Sequence, residues 1–183
     1  MAFSTCLSKT IHTIDQFTNA IGHTVSWLNI AMVVLTCITV VLRYLFNHSS
    51  IIAQETIMYL HATVFLIASA YTLKLDEHVR VDIFYHKLST KGKATINLLG
   101  TIFLLIPVMA FIGWSSWPYI TSSWSIFETS QEAAGIPLVY LLKSLIIVMV
   151  ATMLLQALSE ILRNIATLAG IQVKHKFKRE GAL

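Results

Sequence analysis

Charge is scarce in this chain of 183 residues: only 12% of them are Asp, Glu, Lys or Arg, about half the share of an ordinary globular protein. With 56% hydrophobic residues and a mean hydropathy of +0.71, the composition excludes a typical soluble domain and points to an integral membrane protein. Cysteine is almost absent. Cys6 near the N-terminus and Cys37 inside an apolar run exclude a disulfide framework, a paired-thiol metal site and the reactive Cys pairs of a thiol oxidant. No phosphate-cradling glycine loop occurs, and no Ser or Cys nucleophile stands beside a plausible base. A bis-His haem needs two histidines at matching depth, whereas His61 alone lies deep in a span. The N-terminus lacks a basic region followed at once by an apolar core and a cleavage site, so no signal peptide is expected.

What is present is four long apolar runs. Spans are expected over about 25–46, 51–73, 94–117 and 137–162, each near the 20 apolar residues that cross the hydrocarbon. Before the first, Phe3, Leu7, Ile11, Ile14 and Ile21 recur near helical spacing, which predicts an interfacial helix over about 3–22. Trp27 and Tyr44 lie near the two ends of the first span, where amphipathic rings prefer to sit. The short turn Asn47–Ser50 makes the first two spans an antiparallel hairpin. Val81, Phe84, Tyr85 and Leu88 recur at i, i+3, i+4 and i+7, a second interfacial helix over about 81–88. Gly100, Pro107 and Gly113 interrupt the third span, and Pro107 is expected to disturb it. A polar loop is read from Pro118 to Gly135, with Ile120, Trp124 and Phe127 at helical spacing within it, and Pro137 opens the fourth span. The fold class is therefore an all-α integral membrane protein in a single domain, residues 1–183.

Orientation follows from the basic residues. Lys74, Arg80, Lys87, Lys91 and Lys93 lie in the central stretch, and Arg163, Lys174, Lys176, Lys178 and Arg179 in a basic tail, residues 163–183. The loop 118–137 has no Lys or Arg. The positive-inside rule then places both termini and the central stretch in the cytoplasm, so the net charge of +4 is a membrane signature and not a nucleic-acid footprint.

Ionisable residues inside spans are costly and are functional candidates by default. Here they are Arg43, Glu55, His61, Lys143 and Glu160. The topology brings Arg43, Glu55 and Lys143 to the periplasmic end with Glu128 and Glu132 from the loop, and leaves two readings: Arg43 or Lys143 pairs with Glu55, or each snorkels separately to water. On the other face, Arg80 can bridge to a carboxylate and hold the second span against the interfacial helix. Neither internal repeats nor midplane charges, the usual equipment of a self-sufficient transporter, are evident.

Several of these residues carry a family likeness. Arg43-Tyr44-Leu45-Phe46 ends the first span, Gln54-Glu55 opens the second, and Ala70-Tyr71 is followed by His78-Val79-Arg80-Val81-Asp82. Glu128 stands in the loop, and Pro137 with Lys143 opens the fourth span. From about Trp27 to Glu160 the chain resembles the small, Q-type membrane subunit of tripartite ATP-independent periplasmic (TRAP) transporters, the His-Val-Arg-Val-Asp run being the most specific item. Gln54-Glu55 departs from the two adjacent acids frequent in the family, and Ile67-Ala68 from a frequent glycine.

The resemblance implies a bacterial inner-membrane, non-enzymatic scaffold subunit of a sodium-coupled importer of organic anions such as a dicarboxylate or sugar acid. It implies two protein partners besides membrane lipids, and no nucleic acid: a large multi-span subunit carrying the sodium and substrate sites, and a periplasmic substrate-binding protein. This chain itself is expected to hold no cofactor, metal or substrate site. Subunit-interface candidates are Arg43, Tyr44, Glu55, His78, Arg80, Asp82 and Lys143; docking candidates for the periplasmic protein are Trp124, Glu128 and Glu132. A membrane anchor of a redox complex and a small proton-coupled exporter using Glu55 are the alternatives.

Overall fold

The computed structural model describes residues 2–78, 85 and 88–171, with side chains from Leu7 onward. Among them there is no strand; every regular element is helical. α1 runs Ala2–Leu45, α2 Ile51–Leu75, α3 Thr90–Gly100, α4 Ile106–Ser125 and α5 Val139–Leu168, with a π-helical turn, Thr101–Leu105, between α3 and α4. Counting α3, the π turn and α4 as one rod, the four rods are long and apolar enough to cross a membrane. The expected interfacial helix over 81–88 and the end of the basic tail fall mostly outside the described residues.

Three expected boundaries are corrected. The interfacial helix over 3–22 and the first span are one uninterrupted helix, α1. No proline or glycine pair intervenes to break it, and Ile11, Ile14, Thr18 and Val25 form one buried stripe along it, so packing carries the helix through. The third span continues past 117 to Ser125, with Pro118 inside α4; the loop before α5 is correspondingly shorter. The fourth helix starts at Val139, with Leu138 at its cap and Pro137 just outside, and runs to Leu168 rather than 162.

Local chemistry explains the remaining punctuation. Ser50 caps α2 by accepting from the Ala53 N–H at 3.3 Å, and Ser89 caps α3 by accepting from Gly92 at 3.2 Å, each satisfying an otherwise orphaned donor. Asp76 ends α2 in the left-handed conformation, φ 61°, which Asp tolerates better than most residues. Pro107 has no N–H to donate, and the ladder just before it widens into the π turn, where the Ile106 N–H donates to the Thr101 carbonyl.

The helices meet through small residues, as membrane helices do when lipid gives no hydrophobic drive to association. Ala70, Ala94, Ala157 and Ala166 are buried, and a Cβ on Gly113 of α4 would lie 3.3 Å from Val150 of α5. Gly22 of α1 is closer still: an added Cβ would overlap the Tyr71 ring of α2 near its root. Gly22→Val is accordingly expected to destabilise the α1–α2 pair by roughly 1–3 kcal/mol, the cost of overpacking, read as a lowered melting temperature in detergent; an unchanged melt would show that α1 and α2 do not touch there. Large apolar side chains such as Phe65, Phe103, Phe111 and Trp114 point outward and are exposed, as expected of a bundle surrounded by lipid.

Candidate functional site

Two polar clusters occupy opposite ends of the bundle. The first lies at the end away from the α1–α2 turn. On α5, Gln156, Ser159, Glu160 and Arg163 follow one another at i, i+3, i+4 and i+7, the spacing of a single helix face. On α1, Asp15, Thr18, Asn19 and Gly22 repeat the same spacing. The two stripes face each other. The Asp15 carboxylate accepts from Arg163 Nη2 at 2.5 Å, from Ser159 Oγ at 2.9 Å and from Gln156 Nε2 at 3.3 Å. Thr18 Oγ1 donates to Gln156 Oε1 at 2.8 Å. Arg163 also donates to Glu160 at 2.5 Å. From α2, Lys74 Nζ donates to the Asp15 carbonyl at 2.9 Å and to Asn19 Oδ1 at 2.5 Å.

This cluster is deeply enclosed: Gln156 and Ser159 are 0% exposed, Lys74 5% and Arg163 8%. Two carboxylates face two cations, so the charges balance while three helices, α1, α2 and α5, are cross-linked. Isolated charges at such a place would be prohibitive. Each one here has a partner: Glu160 meets Arg163 within α5, while the Asp15–Arg163 and Lys74 contacts cross between helices.

The second cluster sits at the α1–α2 turn end. Glu55, one turn into α2, accepts from Ser130 Oγ and from the Ile136 N–H at 2.5 Å, so its carboxylate holds the loop after α4. Ser130 in turn accepts from the Glu132 N–H at 3.1 Å. Gly135 is required at this latch, because a Cβ there would meet Ser130 and stand 2.7 Å from Glu55 Oε1. Glu128 pairs with Lys143 of α5, and the Lys143 ammonium lies 3.9 Å from the centre of the Tyr119 ring, a cation–π contact to α4. Trp124 Nε1 donates to Ser144 at 2.8 Å, and its ring packs edge-on against Tyr140 at 4.7 Å.

The structure thus brings Glu55, Glu128 and Lys143 to one end, as the spans predict, but rearranges their pairing. Lys143 pairs with Glu128, and Glu55 takes neutral N–H and O–H donors instead of a cation. Arg43 and Tyr44 are exposed on α1, away from this latch, with Tyr44 76% exposed. Glu132 contributes its backbone and leaves its side chain exposed. His61 is exposed, stacked on Phe65. His78 is exposed as well, while Arg80 and Asp82 lie outside the described residues.

The inner cluster is not evident from the sequence read helix by helix. Asp15, Thr18, Lys74, Ser159 and Arg163 escaped because the N-terminal stretch reads as an interfacial helix with its polar residues turned to water, and because Arg163 counts naturally with the basic tail. The signal that finds it is the coincidence of two polar stripes at i, i+3, i+4 and i+7 on helices that are otherwise apolar.

Glu128 lies in the loop outside the spans. The hydrogen bond from Lys143 is the chief cause holding its carboxyl below the ordinary value. Its contribution to stability is therefore complete above the ordinary carboxylate pKa and is lost as pH falls through the lowered one. Melting measured against pH is expected to stay level from neutrality to about pH 5 and then to fall, with a Lys143→Met variant showing a smaller fall in the same acid range. An equal fall in both would assign the acid sensitivity to other groups.

A bundle of four apolar rods whose enclosed charged groups are paired with one another defines a multi-pass membrane protein cross-linked at both ends. A family model for the DctQ component of tripartite ATP-independent periplasmic transporters matches residues 32–167. The chain belongs to that family. It is 28% identical over 123 residues to the C4-dicarboxylate TRAP transporter small permease protein DctQ of Vibrio cholerae, a match covering 64% of this chain and 52% of that one. The chain thus spans about half the length of the curated relative it matches. No solved structure matches. The family is described as a component of tripartite ATP-independent periplasmic transporters.

Proposed function

We propose that this chain is the fixed frame of a sodium-coupled importer of organic anions, supporting a large transport subunit in the bacterial inner membrane. Both termini are cytoplasmic in this reading, supported by Lys74, Lys91, Lys93 and Arg163 at one end and by residues 118–137, which contain no Lys or Arg, at the other. The inner cluster then lies near the cytoplasmic face and the Glu55–Ser130 and Glu128–Lys143 latches at the periplasmic face. Sodium and substrate are bound by the large subunit, and the loop carrying Glu128 and Glu132, with Trp124 beside it, offers part of the landing surface for a periplasmic binding protein.

The observation that carries this reading is the use made of buried charge. A transport site must exchange partners with a solute; here Asp15, Glu160, Arg163 and Lys74 are committed to one another across three helices. The printed name of the Vibrio cholerae relative supports a C4-dicarboxylate as the first anion to try.

The test is uptake into proteoliposomes under an inward sodium gradient, with the large subunit and the periplasmic binding protein supplied. Uptake of a dicarboxylate or sugar acid is expected with this chain and is expected to be lost without it. Full uptake in its absence, or uptake by this chain alone, would refute the frame role.

A further inference from the structure

The outer part of α1 stands at the margin of the bundle, and its faces differ in chemistry. Leu28, Met32, Leu35, Thr39 and Leu42 are the half-buried positions of this stretch, spaced four and three apart, and form its inward seam. A quarter turn to one side, at about 100° per residue, run Trp27, Ala31, Val34, Ile38, Val41 and Leu45, all exposed and all apolar. A quarter turn to the other side run Asn29, Val33, Thr36, Val40 and Arg43, equally exposed. Both flanks keep the spacing of a helix seam, yet only the second carries polar groups.

That difference matters inside a membrane. Asn29 lies 14 residues from Arg43, about 21 Å along the helix axis. With Arg43 near one boundary, Asn29 falls within hydrocarbon about 30 Å thick. Its side-chain amide makes no hydrogen bond among the described residues, and water does not reach it there. Thr36 donates to the Met32 carbonyl at 2.7 Å and keeps its oxygen free to accept. Arg43 has no acidic partner among the described residues. Lipid tails satisfy neither the Asn29 amide nor the free Thr36 oxygen, whereas a neighbouring helix can; Arg43, at the boundary, can reach headgroups or pair with a carboxylate.

We infer that the flank Asn29–Val33–Thr36–Val40–Arg43 is the docking seam for a spanning helix of the large transport subunit. That helix presents a hydrogen-bonding side chain at the depth of Asn29 and a carboxylate at the depth of Arg43. The seam repeats every seven residues, which suits a left-handed crossing near 20°. The opposite flank, from Trp27 to Leu45, faces lipid. A second copy of this chain is a poor occupant. Two copies inserted in the same sense set Arg43 against Arg43, and residues 26–46 contain no Asp or Glu to meet it. The inference rests on the frame role and adds to it the face through which the frame is held.

The experiment places a benzophenone side chain at Val33, Val40, Val34 or Val41 in the full chain, expressed with the tagged large subunit, and irradiates the membranes. Adducts with the large subunit are expected from positions 33 and 40 and not from 34 and 41. In parallel, Asn29→Leu is expected to lower the large subunit recovered in mild detergent by about three- to tenfold, with the melting temperature of the isolated small chain held. Adducts from 34 and 41 instead, equal yields from both flanks, or adducts with a second copy would overturn the seam while leaving the frame role standing. A wild-type chain that recovers no large subunit at all would remove both.

Discussion

Arg163→Met is expected to be the most damaging single substitution in the bundle, lowering stability by about 3–5 kcal/mol and the melting temperature in detergent by roughly 6–20 °C. The guanidinium is shared between Asp15 of α1 and Glu160 of its own helix. Removing it leaves two enclosed carboxylates with Lys74 as their remaining cation. Asp15→Ala breaks the same α1–α5 bridge and also orphans donors on Ser159 and Gln156. The double variant is expected to cost clearly less than the sum of the two single ones, because the second deletion removes a group the first has already stranded. Additive losses would mean that Asp15 and Arg163 stabilise the fold independently, and the cross-link between α1 and α5 would be lost from the account.

Reversal of Lys143 is the second large effect. Lys143→Glu sets a second carboxylate beside Glu128 and removes the cation from the face of Tyr119. The pair is partly exposed, with side chains 12% and 29% accessible, so a lowered melting temperature is expected, the loss being smaller than for a fully buried pair. Its value lies in the rescue. Glu128→Lys is expected to restore much of the loss, and Glu55→Lys to restore none, since Glu55 is held by Ser130 and the Ile136 N–H rather than by a cation. Rescue by Glu55→Lys would reinstate the pairing that sequence spacing suggests and would contradict the arrangement of the loop.

The contrast between those two partners marks what the sequence makes legible. Four apolar runs and their antiparallel order follow from composition and from the short turn at 47–50, because hydrocarbon thickness leaves few alternatives. That Glu55, Glu128 and Lys143 share one end follows from the same count. Which carboxylate meets Lys143 does not, since it depends on how the backbone turns between Phe127, which has a positive φ of 46°, and Gly135. The packing of the N-terminal helix is not legible for a related reason. Lys9, Asp15, Gln16 and Asn19 look like a watered face when α1 is considered alone, and only the matching stripe on α5, 138 to 148 positions away in sequence, shows that part of that face is internal. Periodicity reveals a face but not its neighbour.

The most direct test of a rigid frame is a distance measured while the transporter works. Spin labels at Thr13 on α1 and Leu158 on α5, both exposed, with Cys6 and Cys37 replaced, report across the inner cluster in the assembled complex. A rigid frame gives one narrow distance that is unchanged between sodium-free, sodium-loaded and substrate-loaded states. A second distance, or a shift of several ångström on adding sodium and substrate, would show that this bundle moves with the cargo and is no frame.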